Sequence, residues 1–286
     1  PEDRILNIEL ESTINSGAFY DAVVFGGGSS ITYTLSNARL ICVDEATESY
    51  LCDVQNVWDA LPQLADPAIS ARVYAALDDS LHRLDFDFDR ETFYASVPEA
   101  AKILWDGIGK IRYQPQGEVI MTGHSHIDVA WLWTVRETTR KCARTFSNTV
   151  ALMDHYPDFV FAQSQAYLYD KTKQVYPEVY DRIREHVANG QWDIVGNAWV
   201  EADTNVASGE ALIRQLLYGH EFFQKEFGVS SDIYWLPDCF GFSWALPQII
   251  RRSGMKYFVT HKIDRNDTNR FPYTIFRWRG TDGSEV

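Results

Sequence analysis

Beyond Gln114 the chain alternates between short apolar runs and longer amphipathic stretches. The runs are Glu118–Thr122, Phe159–Gln163, Trp192–Gly196, Ile233–Leu236 and Tyr257–Thr260, and helical apolar spacing follows each of the first four. Short apolar runs predict strands and spacings of three and four predict helices, so their alternation predicts an α/β fold. Its βα units would surround a parallel sheet, open or closed into a barrel. From Val54 to Ile111 the period is helical. Pro67 is placed to open one helix and Val97-Pro98 another, with an apolar stripe through Ala101, Ile103, Leu104, Trp105 and Ile108. Residues 5 to 44 are instead rich in β-formers, with Tyr20–Phe25 and Ile31–Leu35 on either side of Gly26-Gly-Gly-Ser-Ser30. The glycines precede a strand rather than a helix and no Lys-Ser/Thr closes them, so they read as a turn and not as a phosphate loop. The expected organisation is a β-rich unit over 1–52, a helical connector over 53–114 and a βα domain over 115–286.

In parallel βα folds ligands meet the carboxyl ends of the strands, so the residues just after each run carry the candidate chemistry. They are polar: Gly123-His-Ser-His-Ile-Asp128, Gln163-Ser-Gln165, Asn197-Ala-Trp-Val-Glu-Ala-Asp203, Pro237-Asp238 and His261-Lys-Ile-Asp264. His126 and Asp128 are alternate residues of an extended segment and so share a face. That N/O pair suits a divalent ion, although a lone His-x-Asp can equally be a hydrogen-bonded pair that orients a loop. The strand-end position beside Trp131 and Trp133 favours ligation. His124, two residues earlier on the same face, is read as structural rather than as a ligand. Asp203 and Asp238 follow runs containing Trp199 and Trp235. Singly each would be a cap or a turn former; together, beside a metal motif, they are candidates for the nucleophile and general acid of a glycosidase. Trp131 offers a flat face to a sugar. Cys239 reads as a small buried thiol, His82, His155, His186 and His220 as solvated or core residues, and His261 remains open.

Size and charge narrow the choice. With 286 residues, 45% apolar and 14% aromatic, the chain can bury a large core. Its formal net charge of −14 argues against a nucleic-acid partner, since phosphate binding needs clustered Lys and Arg. No run of 18 apolar residues suggests a membrane span. The four cysteines, Cys42, Cys52, Cys142 and Cys239, form no Cys-x-x-Cys pair, which fits a reducing, cytoplasmic setting better than a disulfide framework. Both ends look cut, with no Met at the start and a turn signal at Asp282-Gly-Ser, so a longer protein is expected.

Gly123-His-Ser-His-Ile-Asp-Val-Ala-Trp-Leu-Trp133, Gly196–Asp203 and Tyr234–Ile249 closely resemble glycoside hydrolase family 38, the α-mannosidases, and Thr268–Gly283 is similar to a further segment of that family. The resemblance covers roughly residues 115 to 286. Ala-Trp-Leu-Trp and Leu-Pro-Asp-x-Phe-Gly resemble the bacterial, vacuolar and cytosolic branch; Golgi and lysosomal members show Asn-Asp-Pro-Gly-Trp instead. The resemblance implies an incomplete β/α barrel-like catalytic domain. It also implies that His126 and Asp128 bind zinc, that Asp203 is both nucleophile and zinc ligand, that Asp238 is the general acid and base, and that Trp131 stacks under the sugar. Two departures stand out: the family's second zinc-binding histidine has no match at or after His261, and Phe242 replaces a His or Tyr.

The expected activity is therefore hydrolysis of terminal α-mannosides of glycans with retention of configuration, zinc-dependent, in a chain expected to be inactive alone. The expected partner is a mannose-containing glycan, with neither nucleic acid nor membrane, and a homo-oligomer is possible for the full-length enzyme. Two other readings stay open: a metal-dependent carbohydrate deacetylase or amidohydrolase, and a non-catalytic carbohydrate-binding fragment.

Overall fold

The structure is a computed structural model that describes residues 43–87, 89–112, 117–263, 265 and 267–286. The expected β unit up to residue 42, with its glycine turn and Cys42, lies outside the described residues, as does Asp264. The described residues fall into two compact units that meet in sequence between Val119 and Ile120.

The first unit is helical. Helix α1 (Glu45–Ala60) is followed by a short 3-10 turn (Leu61–Gln63), α2 (Pro67–Leu81) and α3 (Arg90–Gly109). Asp44 caps α1 by accepting the Thr47 N–H at 2.9 Å and its hydroxyl at 2.7 Å, which brings the helix start to Glu45. Residues 45 to 52, assigned by pattern to the β unit, are helical for that reason. Pro67 opens α2 as expected, behind an Asp66 cap. Pro98 does not open α3: Asp89 caps that helix at Arg90 and the proline sits within it, where it cannot donate to the Tyr94 carbonyl. Tyr50, Val57, Leu77, Val97, Ala100 and Leu104 form the core, and Ser80 links Tyr50 (2.6 Å) to the Ala100 carbonyl (2.8 Å). Trp105, expected in the apolar stripe, is half exposed and donates its indole N–H to Asp53 instead.

The second unit alternates strand and helix. Its elements are β1 (Gly123–His124), α4 (Val135–His155), β2 (Phe161–Gln163), α5 (Ala166–Val175), α6 (Pro177–Asn189), β3 (Trp192–Ile194), α7 (Gly209–Phe227), β4 (Ile233–Trp235), α8 (Leu246–Arg252) and β5 (Tyr257–Val259). The predicted parallel pairing is present: β1, β2 and β3 form one three-stranded sheet and β4 and β5 a second of two. The expected first strand is displaced. Val119, Ile120 and Met121 are more than 80% exposed, and the ladder starts at Gly123, where an added Cβ would lie 3.0 Å from the rings of both Phe159 and Phe161. A larger residue there would need those rings to shift by a few tenths of an ångström.

Between β3 and β4 a side chain stands in for a ladder. Asn197, with φ at 47°, donates its amide to the Ser231 carbonyl at 2.6 Å and accepts the Ser231 N–H at 3.0 Å. Helix α4 buries Cys142, Phe146, Val150 and Met153 against Trp192 and Tyr169, in the core behind the first sheet. Each such fully buried side chain contributes roughly 1.5–3 kcal/mol. Tyr234, Leu236, Leu246 and Ile250 form a second core behind β4 and β5. On α7, Gly219 lies so near the segment after β3 that a Cβ there would be 2.3 Å from the Asn197 carbonyl oxygen. The polar residues after β3 therefore rest directly on helical backbone. No helix among the described residues is long and apolar enough to cross a membrane.

Candidate metal and carboxylate centre

Beyond β1 the chain stays extended, and Ile127 is 3% exposed in the core behind the first sheet. Its neighbours on either side must then face the other way. His126 and Asp128 meet there, Nε2 to Oδ1 at 3.2 Å. Asp238, just after β4, brings its Oδ2 to 3.6 Å from the same nitrogen, while its Oδ1 pairs with Lys262 Nζ at 2.9 Å. His126, Asp128 and Asp238 thus offer one imidazole nitrogen and two carboxylate oxygens within 4.8 Å of one another, a donor set that suits a divalent ion.

The other face of His126 is occupied by Glu201. Nδ1 lies 3.0 Å from Glu201 Oε2, and the Glu201 side chain is only 4% exposed. Both atoms are buried and neither has a hydrogen-bond partner elsewhere, so each faces only the other. The other Glu201 oxygen accepts the Ser164 hydroxyl at 2.5 Å. The Glu201 contact, opposed by burial and reinforced by Asp128, pushes the His126 pKa up to about 9. An ion bound at Nε2 would take over the charge these carboxylates now compensate, at the cost of the proton there.

His124 has its own partners. Its Nδ1 lies 2.8 Å from the Ala162 carbonyl, and its Nε2 accepts the Trp235 indole N–H at 3.3 Å. Burial lowers its pKa, so the ring is neutral with the proton on Nδ1. Both nitrogens are spent on holding strand ends together.

Asp203 stands apart from the metal-ligating group. It is exposed, and its Oδ1 accepts the backbone N–H groups of Asn205 at 2.8 Å and Val206 at 3.0 Å, the geometry of a turn former. Its carboxylate is still near the centre: burial first, then the fields of Glu201, Asp203 and Asp238, raise the Cys239 thiol to about 12. That thiol donates to the Ala202 carbonyl and is no nucleophile. Trp131 is 63% exposed and meets Trp133 edge-on at 5.4 Å. His261 is exposed, and Phe242 packs on Phe258 and Trp278.

Glu201, Ser164 and Lys262 were not singled out by sequence reasoning. Glu201 lay in view inside the Asn197–Asp203 segment, two residues before Asp203, and spacing alone does not say which of two alternate carboxylates is buried. Gln165 gives another signal. It holds φ at 68° and is 2% exposed, its side chain tied to the Ile127 carbonyl at 2.9 Å and to the Glu201 N–H at 3.2 Å. Such a conformation is kept only where surrounding bonds impose it, often at functional sites.

Comparisons with known proteins place the chain in a family. The model of the glycosyl hydrolases family 38 N-terminal domain matches residues 116–286. Alpha-mannosidase G of Dictyostelium discoideum is 50% identical over 198 residues, covering 69% of this chain and 18% of that protein. Mouse alpha-mannosidase 2C1 is 37% identical over 289 residues, covering 100% of this chain and 27% of that protein. The chain thus spans well under a third of the length of either relative. The crystal structure of an alpha-mannosidase from Enterococcus faecalis shares the fold, with a TM-score of 0.51 at 24% identity over 58% of this chain and 19% of that one.

Proposed function

This chain belongs to glycosyl hydrolases family 38, and from that premise we propose that it carries part of the catalytic centre of a retaining, zinc-dependent α-mannosidase acting on terminal α-mannosides of glycans. The observation that carries the proposal is the convergence of His126, Asp128 and Asp238 from the ends of β1 and β4. Residues 115–286 would be the N-terminal part of a β/α barrel-like catalytic domain, a reading supported by parallel ladders joined at Asn197.

His126, Asp128 and Asp203 would hold the ion. When bound, zinc supplies a template for vicinal sugar hydroxyls and a counter-charge for the ring. The remaining work falls to the protein. Asp203, its Oδ1 fixed by two backbone N–H groups, presents its second oxygen to the anomeric carbon and forms the glycosyl-enzyme bond. Asp238 gives its proton to the departing glycosidic oxygen, then takes one from the water that releases mannose. Retention calls for carboxyl groups about 5 Å apart. Trp131 would stack against the sugar. The spread of unpaired cysteines supports a cytoplasmic setting.

The test is trapping of the intact enzyme with a fluorinated α-mannoside, followed by peptide mapping. An adduct on Asp203 is expected. An adduct on Glu201 or Asp238 would overturn the assignment of the nucleophile. With no adduct and normal turnover in Asp203→Ala, the retaining reading fails altogether.

A further inference from the structure

His126 is shared between two groups of possible ligands. One is His126 with Asp128 and Asp238, on the Nε2 side; the other is His126 with His124 and Glu201, on the Nδ1 side. The second group is not equipped to hold an ion. Both nitrogens of His124 are already engaged, by Ala162 and Trp235. Glu201 is nearly inaccessible and has one oxygen bound by the Ser164 hydroxyl. What remains on that side is a buried carboxylate oxygen facing a buried imidazole nitrogen, neither with another hydrogen-bond partner.

We propose that Glu201 is a positioning residue, whose carboxylate keeps the proton of His126 on Nδ1 and thereby turns the Nε2 lone pair toward Asp128 and Asp238. The inference rests on the reading of His126 as a metal ligand. A neutral imidazole carries one N–H and one lone pair, and the partner at one nitrogen decides the chemistry of the other. Partners of ligating histidines act in this way, orienting the ring and raising the basicity of the ligating nitrogen.

The rest of the segment is built to hold Glu201 still. Ser164 fixes one carboxylate oxygen, and the Gln165 side chain accepts the Glu201 backbone N–H while donating to the Ile127 carbonyl. Ile127 sits between His126 and Asp128. The same buried amide therefore spaces the positioning carboxylate from the segment that carries the ligands. Asp203, two residues on, is exposed and lacks this enclosure.

The test compares Glu201→Met, which removes the acceptor but keeps the bulk, with Glu201→Gln, which keeps an acceptor oxygen. His126→Ala is the control. In the intact enzyme, zinc affinity is measured by chelator competition, and the visible spectrum of the cobalt(II)-substituted protein reports the ligand field. Glu201→Met should weaken zinc by about 10- to 100-fold and alter the cobalt spectrum; Glu201→Gln should lose severalfold and keep the spectrum. If His126→Ala loses zinc while both Glu201 variants bind it normally, the positioning role is overturned and the metal reading stands. If His126→Ala binds zinc normally, both fall together. Should Glu201→Met fail to fold, a Glu201→Gln protein with unchanged affinity would by itself overturn the inference.

Discussion

The Trp235 indole N–H reaches across 111 residues of sequence to Nε2 of His124, 3.3 Å away, and the two rings meet edge-on with centroids 4.9 Å apart. This contact ties the end of β4 to the end of β1 and excludes His124 from ligation. Trp235→Phe keeps the ring and deletes the donor. It should cost about 1 kcal/mol of stability in denaturant titration and leave zinc affinity within about twofold. A tenfold loss of zinc would place His124 among the ligands.

Gly219→Ala should be among the most damaging single changes outside the centre. The added methyl would collide with backbone at Asn197, Ala198 and Trp199, atoms that cannot rotate away. Overpacking of this kind costs about 1–3 kcal/mol or more. Thermal melting should show the loss. Zinc affinity should fall with it, because the displaced segment carries Glu201. An unchanged melting temperature would mean that α7 can pull back from the sheet.

Trp131→Ala should separate binding from stability. With the ring 63% exposed, its removal is expected to change stability by less than about 0.5 kcal/mol. In the intact enzyme KM for an α-mannoside should rise severalfold. A melting shift with unchanged KM would make Trp131 a packing residue for Trp133.

Thiol labelling reports the electrostatics of the centre. Burial raises Cys142 to about 12, and burial together with Glu201, Asp203 and Asp238 raises Cys239 to the same value. At pH 8 iodoacetamide should therefore modify exposed Cys52 well before either. Peptide mass mapping after short exposure checks the order. Prompt labelling of Cys239 would contradict a carboxylate-rich surrounding.

Glu226 provides a pH dependence. Burial would raise its pKa, yet hydrogen bonds from Lys173 at 2.7 Å and the Tyr180 hydroxyl at 2.9 Å overcome that and hold the carboxyl below its usual value. A depressed folded pKa means stability that is present above the unfolded value, near about 4.3, and lost as pH falls through the folded value. Glu226→Gln should be less stable than the parent at pH 7 by about 1 kcal/mol, toward the low end because Lys173 is 45% exposed. In denaturant titrations the gap should shrink as pH falls below the unfolded value and vanish once it is below the folded one. A gap that persists there would assign the effect to packing.

Much of this was legible in the chain. Four of the five apolar runs contain the strands they predicted, because a strand packed on a core keeps apolar side chains on at least one face. The first run failed because its apolar residues Val119, Ile120 and Met121 lie exposed, with no core to pack on, and the ladder begins just after them. The helix starts at Glu45 and Arg90 were set by the aspartates before them, which an apolar period overlooks. His126, Asp128 and Asp238, singled out because each follows a strand end, lie together in the structure. Glu201 was not singled out, since its burial beside His126 is decided by the helix and sheet packed around it. The Golgi-type branch motif has no counterpart here, and 1–42 contribute no described structure to weigh against the β-rich expectation.

Every strand pairing among the named strands joins partners adjacent in strand order, β1 with β2, β2 with β3, and β4 with β5. Each ladder is therefore closed by a connection of one helix, or of two between β2 and β3, which keeps the entropy of pairing small. Among the described residues the first sheet completes its pairings by Val195, and Asn197 then offers a ready amide to the segment entering β4. Such an order suits assembly in step with synthesis, with each new strand meeting a partner already in place.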